Sequence, residues 1–135
     1  MADGSSIRYT LIKTLGKQID CKLKLNDIWA LETIRGKTLN LNDRMKRPRL
    51  EINLHQMRIS GDDGCNNFTG GIKAIDSNKI MFGTIAVTRK ACIDMDIPNR
   101  FQQNINNVQT YSIEDLKLYL FDDQGDELFA FKKID

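Results

Sequence analysis

The chain has 135 residues, of which 41% are hydrophobic and 28% charged, with a formal net charge of +2. This length suits one domain around one core, and the composition excludes an intrinsically disordered chain. No apolar run approaches the ~18–20 residues of a membrane-spanning helix, and the net charge by itself selects no partner. Its distribution is uneven. Residues 1–60 hold twelve Lys/Arg against six Asp/Glu (+6), and residues 61–135 hold eight against twelve (−4).

Residues 7–15 alternate loosely and are expected as a strand, followed by a turn at Gly16-Lys17-Gln18. Residues 19–25 place Ile19, Cys21, Leu23 and Leu25 on one side, the pattern of a half-buried strand. Ile28 to Ile34 is the next strand and stops at Arg35-Gly36. Polar residues 40–49 make a loop that includes the basic run Arg44-Met45-Lys46-Arg47-Pro48-Arg49. Such a run reads either as a solvated loop or as an attraction to an anionic surface, and no aromatic interleaves with it to stack on a nucleobase. Leu50, Ile52 and Leu54 then alternate with polar residues. A turn at His55-Gln56 leads into Met57 to Ser60.

After residues 61–71 come strands from Gly71 to Ile75, Lys79 to Phe82 and Gly83 to Thr88, with Asp76-Ser77-Asn78 supplying turn chemistry. The period then changes. Ile97, Phe101, Ile105 and Val108 step by four, four and three, an amphipathic helical stripe with Asp94 and Asp96 near its start and Pro98 in its first turn. Leu116 to Phe121 and Glu127 to Phe131, around Asp122 to Asp126, form a closing hairpin. The fold class expected is α+β and β-rich: an antiparallel sheet curled into a partly open barrel, with one late amphipathic helix packed on it.

The stretch GDDGCNNFTGG, residues 61–71, is the densest in chemistry-bearing residues. As a metal site it offers Asp62, Asp63 and Asn66, but their spacing does not fit the calcium loop. As a nucleophile loop it needs a base for Cys65, and the only imidazole, His55, lies ten residues upstream. As a corner it makes simple sense. Gly61 and Gly64 permit positive φ, Asn66 or Asn67 can bond nearby backbone, Gly70-Gly71 marks a bulge or close approach, and Phe68 anchors the bend. Cys21, Cys65 and Cys92 are an odd number, so one bridge with a free thiol is open. There is no C-x-x-C, and zinc is not expected. No catalytic residue, cofactor or metal is assigned.

The series Trp29-x-Leu31, Gly36, Pro48, Arg58-Ile59-Ser60-Gly61, Gly64-Cys65-Asn66-x-Phe68-x-Gly70, Phe82-Gly83, Ala86-Val87-Thr88-Arg89-x-x-Cys92 and Leu116-x-Leu118 resembles the META/HslJ-like domain family. The resemblance covers about residues 26–132, so residues 1–25 are read as an N-terminal extension and 26–135 as the domain. It implies a small antiparallel β domain with a helix, and a bacterial envelope protein, commonly a lipoprotein, linked in the family to heat shock and without established enzymatic activity. It singles out Cys65 and Cys92, for which a disulfide in an oxidising envelope and two buried thiols are both open, with Gly61, Gly64, Asn66, Phe68, Gly70 and Thr88 as the structural motif around them. The sequence carries neither a signal peptide nor a lipobox cysteine, so the chain is read as the body of a lipoprotein whose anchor has been removed.

The function expected is therefore a non-catalytic interaction or stress module on the periplasmic side of a bacterial membrane. It would be monomeric, with an unidentified envelope protein as partner and no nucleic acid. The alternative is a pilotin-like carrier of lipid or another small apolar ligand, with Phe101, Ile105 and Val108 lining its cavity.

Overall fold

Alternation of apolar and polar residues builds most of the strands seen in the computed structural model, which describes residues 23–41 and 45–134. In chain order they are β1 (Ile28–Ile34), β2 (Lys37–Thr38), β3 (Arg49–Asn53), β4 (Arg58–Asp62), β5 (Asn67–Ile75), β6 (Ile80–Val87), β7 (Thr110–Glu114), β8 (Lys117–Phe121) and β9 (Glu127–Lys133). One helix, α1 (Asp96–Ile105), separates β6 from β7. In β3, Leu50 and Ile52 are buried while Arg49 and Glu51 face water. In β5, Phe68, Gly70 and Ile72 point inward. β9 is buried on both faces from Leu128 to Phe131, as befits a strand held between β1 and β8.

Every pairing is antiparallel, in the order β6-β5-β4-β3-β1-β9-β8-β7, with β2 paired to β1 off this path. The eight strands of the path curl into a half-barrel. Its ends touch at one place, where Lys79 bridges Thr110, the Ile80 amide donates to the Gln109 carbonyl (3.1 Å) and the Tyr111 amide to the Asn78 carbonyl (3.0 Å). Away from that contact, α1 covers the gap. Phe101 on α1 packs between Phe68 of β5 (5.2 Å between ring centroids) and Phe129 of β9 (5.1 Å), and Phe129 reaches Phe131 (5.7 Å). Ile97, Ile105 and the following Val108 complete the buried stripe. The sheet, the curl and the single late helix match the expected fold class.

In β1 the ladder slips between Leu31 and Thr33, so the parity of the strand changes and Ile34 joins Trp29 and Leu31 in the core. β3 pairs with β1 only as far as Ala30. Beyond that point the Leu31 amide donates to the Pro48 carbonyl (2.9 Å), and the Leu31 carbonyl accepts from Arg47 Nη1 (2.7 Å). The basic run thus finishes the β1 edge. Its Lys46 pairs with Asp62 at 3.2 Å.

Several elements depart from the sequence reading. Residues 7–15, most of 19–25 and Cys21 lie outside the described residues. Leu23 and Lys24 are helical where the alternation predicts a strand. The Asn26 amide closes a turn on the Leu23 carbonyl (3.1 Å). Leu25, 0% exposed, is buried by that turn, and its carbonyl accepts from Trp29 Nε1 (3.0 Å). Leu25 therefore packs with the domain core. β2 and β7 were not anticipated, and Leu116 sits in the β7–β8 turn, 54% exposed, instead of sharing the buried side of β8 with Leu118 and Leu120.

Phe101→Ala removes the ring that joins β5 to β9 and should destabilise the domain by about 3–5 kcal/mol in urea unfolding. Leu116→Ala, at an exposed turn, should stay within about 0.5 kcal/mol of the parent.

Candidate functional site

Only Asp63 to Asn66 form the connection between β4 and β5; the rest of the glycine-rich stretch belongs to the two strands. The Asp63 amide donates to the Asn66 carbonyl (2.9 Å), closing the hairpin. Gly64 has φ +103°, a conformation other residues rarely adopt. Gly61 does not have positive φ. Its requirement is space: a Cβ there would collide with the Arg49 carbonyl oxygen and lie 2.8 Å from Phe68 Cζ. The expectation of positive φ thus holds at Gly64 and is corrected at Gly61, where strand pairing places Phe68 directly opposite. Gly70 faces Ile85 across the ladder, and the register slips immediately after it.

Asp63 is 0% exposed. Its Oδ1 accepts from the Cys65 amide (2.9 Å) and the Asn66 amide (2.6 Å), and its Oδ2 accepts from Gln102 Nε2 of α1. Three N–H donors therefore converge on one buried carboxylate and tie the corner to the helix. This arrangement solvates the buried acid with dipoles and offsets the cost of its burial.

Asn66 works in the other direction. Its Oδ1 accepts from Thr88 Oγ1 (2.9 Å) and the Lys90 amide (2.6 Å), and its Nδ2 donates to the Lys90 carbonyl (3.1 Å). Thr88 in turn accepts from the Asn67 amide through Oγ1 (3.1 Å) and donates its own amide to the Asn67 carbonyl (3.0 Å). Asn66 was read as bonding local backbone; it instead reaches residues 22–24 positions away. Cys65 is bonded to Cys92, with Cα atoms 6.0 Å apart and 27 positions between them in sequence. The two halves of the motif thus meet in space through one covalent bond and the three hydrogen bonds of the Asn66 side chain.

The remaining candidates are placed as follows. His55 lies in the β3–β4 turn, and Cys65 is committed to its bridge. Phe101, Ile105 and Val108 are all buried in the core. Phe101 and Ile105, with Phe68, Ile85 and Val87, also border a notch of about 170 Å³ between β6 and α1, which Val108 does not line. That is below the ~300–1,000 Å³ usual for small-molecule sites. Asp63 enters the sequence analysis only as a candidate metal ligand, and Gln102 does not enter it at all. No spacing rule pairs an acid with an amide 39 residues on.

A half-barrel of antiparallel strands over one helix, with a disulfide-pinned corner, defines a small β-rich domain. The model of the META domain matches residues 22–135, and the chain belongs to that family. Among solved structures it is similar to a protein from Burkholderia xenovorans determined by NMR, with 20% identity and a TM-score of 0.66, covering 87% of this chain and 88% of that one. It is also similar to a DUF4847 family protein from Bacteroides vulgatus, with 12% identity and a TM-score of 0.54, covering 83% and 96% respectively. At these identities the likeness is one of fold. No curated protein matches the chain in sequence.

Asn66→Ala strands the Lys90 amide and the Thr88 hydroxyl and should cost roughly 1–3 kcal/mol in chemical unfolding. Asp63→Asn should cost less than Asp63→Ala in the same assay. Its oxygen can still serve the two backbone amides, while a turned Gln102 amide offers its own oxygen to the new NH₂ group.

Proposed function

We propose that this META domain is a non-catalytic binding module of the bacterial cell envelope, working in an oxidising compartment outside the cytoplasm. The observation that carries the reading is the Cys65–Cys92 bond, which locks the loop after β6 to the β4–β5 corner. Disulfides persist where glutathione and thioredoxin do not keep thiols reduced. The same corner argues against catalysis. Its thiol is consumed by the bridge, and both oxygens of its buried acid already face N–H donors. Neither a nucleophile nor a free general base is left at this place.

A carrier of long apolar ligands is favoured less. Phe101, Ile105 and Val108 fill the space between sheet and helix, and the notch beside the first two has room for a single side-chain-sized group. A rigid corner that presents loops and a strand end suits recognition of another protein.

The test is peptide mapping without reductant, after rapid alkylation of the protein in its native host. A linked peptide pair containing Cys65 and Cys92 is expected, and finding both thiols free overturns the compartment assignment. In the purified protein, reduction should lower unfolding stability by about 3–4 kcal/mol in the chain-entropy estimate. A Cys65→Ala/Cys92→Ala variant should be insensitive to reductant.

A further inference from the structure

At the end of the sheet, β6 has one side on β5. Among the described residues its other side meets β7 only at the Lys79–Thr110 bridge. Among the described residues nothing pairs with the outer edge from Thr84 to Val87. Its hydrogen-bond phase follows from the ladder. The Thr88 amide donates to the Asn67 carbonyl, so Ala86 and Thr69 form the next hydrogen-bonded pair, and the intervening Ile85 and Val87 turn their N–H and C=O groups outward. The stretch carries no charge and no proline, the usual devices by which an exposed edge avoids pairing. An open groove of about 640 Å³ runs between this edge and α1, bordered on the helix side by Met95, Asn99 and Gln102. At its far end stand Arg89 and Lys90, and no acid lines it. The 170 Å³ notch adjoins the groove, sharing Ile85, Val87 and Gln102.

We propose that the groove between β6 and α1 binds an extended segment of a partner protein as an added antiparallel strand. Two backbone residues on β6, Ile85 and Val87, supply the outward hydrogen bonds. A strand laid alongside continues the pleat, so every second side chain falls on the Ile85/Val87 side, where the notch accepts one apolar group. Arg89 and Lys90, beyond the C-terminal end of β6, select an antiparallel segment whose apolar residue is preceded by acidic ones. This inference deepens the binding-module reading and rests on it. Free thiols in the native protein would remove the compartment assignment and leave the edge untouched, whereas unshifted amides along residues 84–90 would remove the edge alone.

The probe is a short acetylated and amidated peptide that begins with two aspartates and then alternates valine with threonine, titrated into isotopically labelled protein. Amide shifts confined to residues 84–90 and the facing Met95, Asn99 and Gln102 are expected, with slowed exchange of the Ile85 and Val87 amides. Methylating the peptide nitrogens that face β6 should abolish binding. R89E/K90E, which alters exposed side chains only, should weaken it about tenfold. Val87→Pro removes one outward N–H and no ladder bond and should also abolish binding; if it fails to fold, the methylated peptide and the charge variant decide. No shifts along 84–90 at millimolar peptide, or undiminished binding of the methylated peptide, overturns the proposal. So does a protein that sediments alone as a dimer and is returned to monomer by R89E/K90E, since the occupant would then be a second copy.

Discussion

Phe101 is the contact on which the rest of the structure depends. A sheet whose path ends at β6 and β7 can close only where those strands come together, and they do so only around Lys79 and Thr110. Elsewhere the core would open to water. The Phe101 ring sits between Phe68 and Phe129, strands far apart in the sheet order, and so spans the concavity that backbone pairing leaves unbridged. Aromatic side chains suit this task because each covers a large apolar area with few rotatable bonds. The C-terminal half of the helix is held by polar contacts. Gln102 donates to buried Asp63, and Arg35 Nε donates to the Asn104 side chain (2.9 Å) from the tight turn after β1.

That division of labour explains why the β4–β5 connection is so rich in polar residues. A loop packed beneath a helix cannot leave backbone groups unsatisfied. Asp63 accepts for the amides of the turn itself, and Asn66 supplies both acceptor and donor to the segment that follows β6. The two positions are not equivalent. An acid at 66 would have no donor for the Lys90 carbonyl, and an amide at 63 needs Gln102 to turn and offer its oxygen. The disulfide adds a covalent limit to the same junction. Arg89, Lys90 and the fully exposed Ile93 (96%) are thereby presented from a loop anchored at both ends.

Much of this was legible in the sequence where a local pattern decided the outcome. The alternation in Leu50/Ile52 and the four-four-three steps of Ile97, Phe101, Ile105 and Val108 reflect one-sided burial, and burial follows the period of the element. The pairing of the two motif halves was legible through the family resemblance, not through chemistry at a distance. What remained hidden was set by long-range partners. β7 has Tyr111 and Ile113 in alternation, yet five residues carry little signal by themselves, and the strand exists because β8 pairs along its whole length. β2 is two residues held by the reversal at Arg35-Gly36, both at positive φ. The sequence offers Asp63 as an oxygen ligand of a loop, and nothing nearby in sequence says that a helix will close over it.

The open stretch of β6 leaves backbone polarity exposed beside apolar surface. It is a consequence of the same geometry. If β6 continued to pair with β7 past Ile80, the barrel would close and α1 would have no gap to cover. Because the chain instead leaves β6 at Val87, turns through the bridged loop and enters the helix, the edge and the helix diverge with the groove between them. The bulges between β5 and β6 increase the local twist, which limits how long a neighbouring strand could stay in register. A short, twisted edge next to two cations is a poor template for stacking identical chains and a fitting one for a brief, charge-matched segment of something else.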